Sequence, residues 1–141
     1  MCIRDRAEVN ESDDDGRTPL HLASSGWHLE VVKTLLAAKA EVNKSDHIGW
    51  TPLWMASSEG HLEVVKTLLA AKAEVNKSTT YRGTPLYIAS SGGHLEVVKA
   101  LLAAKAEVNK GDDGGWTPLS MALSSNHHEV AAVLREAGGH E

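Results

Sequence analysis

The run from His28 to Lys44, HLEVVKTLLAAKAEVNK, recurs unchanged from His61 to Lys77. It returns from His94 to Lys110 with one replacement, Ala100 for Thr34, and a degraded copy begins at His127. The step is 33 residues each time, and Thr-Pro-Leu at Thr18, Thr51, Thr84 and Thr117 keeps the same step. No other feature limits the fold as strongly, because a period of roughly 20–50 residues belongs to solenoids, propellers and arrays.

Each unit has the same internal order. A polar segment ending near glycine (Asp13 to Arg17, Asp46 to Trp50, Asp112 to Trp116) has turn composition. Threonine then stands as a helix N-cap, with proline at the first helical position, where its missing N–H costs nothing. A helix of about two turns follows, for instance Pro19 to Ser25, and is broken by serines and glycine. A second helix is predicted from His28 to Ala38, with Leu29, Val32 and Leu36 on one stripe and Val31 and Leu35 beside it. Helices shorter than about 12–15 residues are marginal alone in water. Stacked helix pairs bury each other's apolar faces, so the period predicts an all-α solenoid of helix-turn-helix units.

The chain has 141 residues, 42% hydrophobic and 23% charged, which suits a globular chain rather than a disordered one. Its net charge of −5 offers no general attraction to nucleic acid or anionic membrane. The apolar runs fall far short of the roughly 20 residues that span a bilayer. A single cysteine, Cys2, excludes an internal disulfide framework and a Cys-pair zinc site. Absence of disulfides fits a reducing, intracellular and cytoplasmic setting. Met1 to Arg6, MCIRDR, reads as the translation of a library-preparation adapter, so residues 1–6 are set aside as an artefact. Ala7 to Asn10, AEVN, matches Ala40 to Asn43, Ala73 to Asn76 and Ala106 to Asn109. Residues 7–12 therefore read as the tail of a preceding unit, and the chain as part of a longer array.

Asp-x-x-Gly-x-Thr-Pro-Leu-His-Leu-Ala from Asp13 to Ala23, followed by His-Leu-Glu-Val-Val-Lys, resembles the ankyrin repeat, with its 33-residue period and T-P-L-H-x-A signature. The resemblance runs from Asp13 to the C-terminus and divides the chain into repeats at 13–45, 46–78, 79–111 and 112–141. It implies an ankyrin-repeat α-solenoid of four helix-turn-helix repeats with β-hairpin-like loops. It further implies that the hairpin tips and the exposed side of the first helix form a concave binding face. The sequence departs from the family pattern in places. Trp54, Tyr87 and Ser120 replace the histidine of the first repeat, His21. Trp27 stands where Gly60 and Gly93 stand, so Gly26 is expected to take the left-handed turn there, and Asn126 in the last repeat. Lys39, Lys72 and Lys105 stand where the family ends its second helix with glycine, restored at Gly138. Arg82-Gly83 shifts the third hairpin glycine by one residue. The last repeat carries His128, Arg135 and Glu136 where earlier copies have Leu29, Leu36 and Ala37, the polar outer face of a cap.

Positions that repeat unchanged are scaffold, and positions that differ can carry identity. The four tryptophans and two tyrosines all fall at differing positions, Trp27, Trp50, Trp54, Tyr81, Tyr87 and Trp116, none of them in the repeated helix. Tryptophan and tyrosine dominate binding hot spots. By resemblance, the contact residues are the hairpin positions Asp14, Asp15, Arg17, His47, Ile48, Trp50, Thr80, Tyr81, Asp113 and Trp116. The first-helix positions His21, Trp54 and Tyr87, with Ser120, complete the set. A strip centred on Trp50, Trp54, Tyr81 and Tyr87 is the expected anchor, although Trp54 and Tyr87 could equally wedge between repeats.

Chemistry finds little support. His28, His61, His94 and His127 recur one repeat apart, about 10 Å, too far to share a metal through bonds of about 2 Å. Each reads as a helix-start residue satisfied by backbone. Asp13-Asp14-Asp15-Gly16 resembles the start of a calcium loop, but Ser24 stands where the bidentate glutamate belongs. No serine has a base arrangement for nucleophilic attack, and no phosphate-binding glycine loop with Lys-Ser/Thr occurs. Alternating Lys and Glu columns are solvated faces rather than nucleic-acid surface. Asn43, Asn76 and Asn109 resemble sites of asparagine hydroxylation in ankyrin proteins, with a structural turn role as the stronger reading.

The expected function is a non-catalytic, monomeric protein–protein interaction scaffold without cofactor or metal. It would bind a protein partner, and neither nucleic acid nor membrane. The alternatives are the recognition part of a larger enzyme, a kinase or ubiquitin-ligase component with catalysis elsewhere, and a passive spacer.

Overall fold

A computed structural model describes residues 9–78 and 83–141. Among them eight helices follow one another: α1 (Pro19–Ser25), α2 (Leu29–Ala37), α3 (Pro52–Glu59), α4 (Leu62–Ala70), α5 (Pro85–Ser91), α6 (Leu95–Ala103), α7 (Pro118–Ser124) and α8 (His128–Glu136). They form four helix-turn-helix units in a regular row. The first helices α1, α3, α5 and α7 pack on one another in sequence as an inner row, and α2, α4, α6 and α8 as a less closely packed outer row.

Each first helix starts as its sequence dictates. Thr18, Thr51, Thr84 and Thr117 are N-caps in extended conformation, proline follows, and each threonine hydroxyl accepts the N–H three residues on. These bonds satisfy donors that a helix start leaves open. The core repeats with the same step. Leu20, Leu53, Leu86 and Leu119 of the inner row meet Leu35, Leu68, Leu101 and Leu134 of the outer row, all buried. Burying a leucine contributes about 1.5–3 kcal/mol. The expected stripe of the second helix is rotated: Val32 and Leu35 are fully buried, whereas Leu29 and Leu36 are only partly so. Val31 is 40% exposed, yet its counterparts Val64, Val97 and Val130 are at most 3% exposed, because a preceding unit covers them. In α8, His128, Arg135 and Glu136 all face solvent.

Backbone polar groups tie each unit to the next. The Nε2 atoms of His61, His94 and His127 donate to the carbonyls of Ser25, Ser58 and Ser91 at 2.9, 3.1 and 3.1 Å. The Oδ1 atoms of Asn10, Asn43 and Asn76 accept the N–H of Glu41, Glu74 and Glu107 at 2.8, 2.7 and 2.7 Å. Lys44, Lys77 and Lys110 then donate to the carbonyls of the same three asparagines.

Left-handed residues close the helices. Lys39, Lys72 and Lys105 have φ of 66°, 70° and 69°, and Gly138 has 92°. One expectation is overturned at the first inter-helix turn: Trp27 itself has φ 64°, while Gly26 stays at −98°. The turn keeps the register of Gly60, Gly93 and Asn126, with His28 N–H donating to Ala23 O as His61 does to Ala56 O. Shifting the turn to Gly26 would misplace every unit boundary downstream. Glycine at 60 is required twice over. Its φ is 74°, and a Cβ there would stand 2.5 Å from His94 Nδ1 in the next unit.

Lys39, Lys72 and Lys105 are exposed and left-handed. Replacing each by glycine is expected to raise stability by about 0.5–1 kcal/mol, and all three together by about 2 kcal/mol. Urea unfolding checks this, with Lys→Ala variants at the same sites expected to give no gain.

Candidate functional site

Between the helix pairs, the connecting loops are built on aspartate. Asp13 Oδ1 accepts the N–H of Asp15 and of Arg17, both at 2.9 Å. Asp46 holds Ile48 and Trp50 in the same way, and Asp112 holds Gly114 and Trp116. Asp13, Asp46 and Asp112 also donate their own N–H to the carbonyls of Arg17, Trp50 and Trp116. Gly16, Gly49 and Gly115 supply the positive φ that such a turn demands. The Asp13 carboxylate thereby serves a structural turn. Successive loops join where His47 N–H donates to Asp15 O, and Arg17 Nε lies 3.5 Å from Asp46 Oδ2. That last pair is an ion contact without hydrogen-bond geometry.

The sequence candidates divide into three groups. Asp14, Asp15, His47, Ile48, Asp113 and Trp116 are exposed, and Arg17 and Trp50 are partly buried. His21, Trp54 and Tyr87 lie inside, at 0%, 4% and 6% exposure, so they offer little area for contact, Trp54 only as part of a cleft wall. Thr80 and Tyr81, with Arg82, fall outside the described residues. The strip of Trp50, Trp54, Tyr81 and Tyr87 therefore gives way, among the described residues, to packing at Trp54 and Tyr87.

Burial at these positions has a cause. The third helical residue turns back toward the loop of the next unit. His21 Nδ1 accepts the Thr18 N–H at 3.0 Å, and Nε2 donates to Trp50 O at 2.8 Å. Tyr87 reaches the same way, its hydroxyl donating to Asp112 Oδ2 at 2.7 Å. Trp54 instead stacks on Trp50, ring centroids 4.4 Å apart and planes 15° from parallel. Among the described residues neither indole Nε1 finds an acceptor, and both are buried. Each such donor costs about 1–3 kcal/mol, which the stack and the burial of two large rings offset. Ser120 Oγ shares a hydrogen bond of 3.0 Å with Thr117 Oγ1.

At the fourth position Leu22 is exposed and Ile88 partly so, whereas Met55 is as buried as Tyr87, at 6% exposure. Leu22, Met55 and Ile88 line a cleft of about 300 Å³, together with Arg17, Ser25, Trp50, Trp54, Ser58 and Glu59. Leu22 is 52% exposed. Reading the sequence for differing aromatic and polar residues passes over this column, because its members differ while all remain apolar. That shared character at a constant step was the available signal, and Met121 continues it in the last unit.

Burial also governs two histidines. His21 is held below the ordinary imidazole value chiefly by desolvation, opposed by its bond to Trp50 O and by Asp46. His61 is lowered for the same reason, opposed by Ser25 O and Glu59. Trp27 packs over the His61 ring at 3.7 Å, and His61 Nδ1 is buried without a partner. Desolvation pushes Asp112 up, but the Tyr87 hydroxyl and the N–H groups of Trp116 and Gly114 outweigh it, and the carboxyl lies below its usual range. Among the described residues no three or more His, Cys, Asp or Glu side chains are placed to hold a metal. No helix among them is long and apolar enough to cross a membrane.

A row of helix pairs, capped alike, joined by aspartate turns and carrying a cleft along one helix row, defines an α-solenoid of the repeat class. A family model described as ankyrin repeats (3 copies) matches residues 2–79 and 72–141. The chain belongs to the ankyrin repeat family. No curated protein gives a significant match to the chain.

The histidines give a pH prediction with a definite sign. A histidine whose folded pKa lies below its unfolded value of about 6.5 binds its proton first in the unfolded chain. Its stability contribution is complete above that value and is lost as pH falls toward and through the folded pKa. Unfolding midpoints are expected to drop between neutral pH and mildly acidic pH, less steeply in His61→Gln. Trp27→Gly uncovers the ring, and NMR titration should show the His61 pKa rising toward its ordinary value.

Proposed function

We propose that this chain is a non-catalytic protein-binding scaffold that takes its partner on the face formed by the inner helices and the aspartate loops. Ankyrin repeats are in general protein–protein interaction modules, and the matched family carries the coarse part of this reading. For the face, the carrying observation is the cleft lined by Leu22, Met55 and Ile88, with Ile48 and Asp15 on the loops beside it. An apolar floor with a polar rim is the anatomy of a protein interface. Closer packing of the inner row favours a curvature that places these residues on the concave side. The repeat-to-repeat ties hold the surface in one shape, so little ordering entropy is lost on binding.

Leu22→Glu and Ile48→Glu change exposed side chains and are expected to leave the circular dichroism spectrum unaltered. Capture of partners from a lysate should fall at least about tenfold in each, the loss expected of an interface anchor. The outer-row variant Lys33→Ala with Lys66→Ala and Lys99→Ala should capture the same partners as the parent chain. Retained capture in the first pair, or loss in the second, would move the binding face elsewhere.

A further inference from the structure

Charge is distributed unevenly between the two rows. Every lysine of the chain, from Lys33 to Lys110, falls in a second helix or in the loop that follows it. There, exposed pairs partly compensate one another: Lys33, Lys66 and Lys99 lie 3.7, 3.9 and 3.5 Å from Glu30, Glu63 and Glu96. The segments just before the first helices (residues 13–17, 46–50, 79–83 and 112–116), with the first helices themselves, carry Asp13, Asp14, Asp15, Asp46, Glu59, Asp112 and Asp113 against Arg17 and Arg82. Among the described residues Arg17 is the basic side chain at the cleft, and its charge is answered by Asp46 at 3.5 Å. Glu59 lines the same cleft, with its neighbour Ser58 and the apolar residues Leu22, Met55 and Ile88. Asp14 and Asp15 are exposed on the loop that carries Arg17. The excess negative charge thus lies on the row that carries the apolar hollow, with Glu59 at the hollow's lining unpaired among the described residues and Arg17 answered by Asp46, while the opposite row is mixed.

Resting on the scaffold reading above, we infer that the cleft recognises a basic peptide segment of a partner protein, one that inserts a single large apolar side chain between Leu22 and Ile88. The hollow, about 300 Å³, suits one leucine, methionine or aromatic side chain, and its apolar floor favours that side chain over a charged one. Lysine or arginine residues flanking the anchor meet Glu59 at the cleft, and those extending past Arg17 meet Asp14 and Asp15 exposed on its loop. An acidic segment meets unfavourable charge at both places, so the arrangement selects against it as well as for its opposite. Charges at the rim act mostly on the rate of association and on its sensitivity to salt. The anchor decides how long the complex lasts.

The test is selection from a random-peptide display library against the whole chain, followed by affinity measurement of the enriched peptides. The expected enrichment is one large apolar residue with lysine or arginine within a few positions. Affinity should fall about tenfold between about 0.05 and 0.5 M salt, as screening predicts. The variant Glu59→Lys with Asp14→Lys and Asp15→Lys should lose about tenfold or more, mainly in the association rate, and Leu22→Glu should abolish binding. Acidic or charge-neutral peptides, or affinities unmoved by the charge reversal, would overturn the inference. The scaffold reading would survive that result if Leu22→Glu still abolished binding. Peptides that bind equally well to Leu22→Glu, or no enrichment at all, would remove both.

Discussion

The two boundaries between the first three units are held by one set of contacts repeated at a constant step, and no helix among the described residues is long enough to stand without such contacts. A histidine ring donates back to a serine carbonyl, an asparagine accepts the next unit's glutamate N–H, and a lysine reaches the same asparagine. Between these polar ties lie leucine and valine pairs with no exposed surface. The register they impose overrides local preference where the two conflict. Trp27 adopts φ 64° although glycine stands directly before it. A left-handed non-glycine residue costs about 1–2 kcal/mol, less than the several leucines and valines that a one-residue slip would unseat at about 1.5–3 kcal/mol each. The penalty is partly offset, because the indole then covers the ring of His61.

Features set by near neighbours were legible in the sequence. Thr-Pro fixed the start of each first helix, and the aspartate-to-glycine spacing fixed the loops at Asp13, Asp46 and Asp112. The positive φ of Lys39, Lys72 and Lys105 followed from the place of glycine in Gly138. Less legible was anything decided by the next unit. His21, Trp54 and Tyr87 differ in type, and difference between copies was read as freedom to contact a partner. They are buried against loops instead: His21 bonds Trp50 O and Tyr87 bonds Asp112, both in the next unit, and Trp54 stacks on Trp50 in its own. Helical periodicity says which residues share a face; it does not say whether that face meets solvent or a loop 25 or 29 residues away. The same limit displaced the expected stripe on the second helix from Leu29 and Leu36 to Val32 and Leu35.

The division between repeated and differing positions also divides energy from recognition, though not completely. The residues flanking the repeated second helices hold most of the polar ties between units, and the exposed Lys–Glu pairs on those helices contribute little, as surface pairs do. The column of Leu22, Met55 and Ile88 varies in type while remaining apolar, and at Leu22, where the side chain is exposed, it can change its fit without changing the stacking. Glu59 is equally free, being the last, exposed residue of α3.

The third helical position is where the two tasks meet. It does not touch solvent, yet it sets where the next loop stands, and the loops carry the exposed Asp15, Ile48 and Asp113. A histidine there pins the following loop through a backbone carbonyl, whatever side chain that loop bears. A tyrosine pins it only if an aspartate answers, as Asp112 does. A tryptophan stacks instead on the loop of its own unit, at Trp50, and leaves a donor unmet. Placement of the next loop is therefore insensitive to loop sequence after His21 and dependent on one partner after Tyr87. Variation in the recognition surface is constrained by residues that lie beneath it.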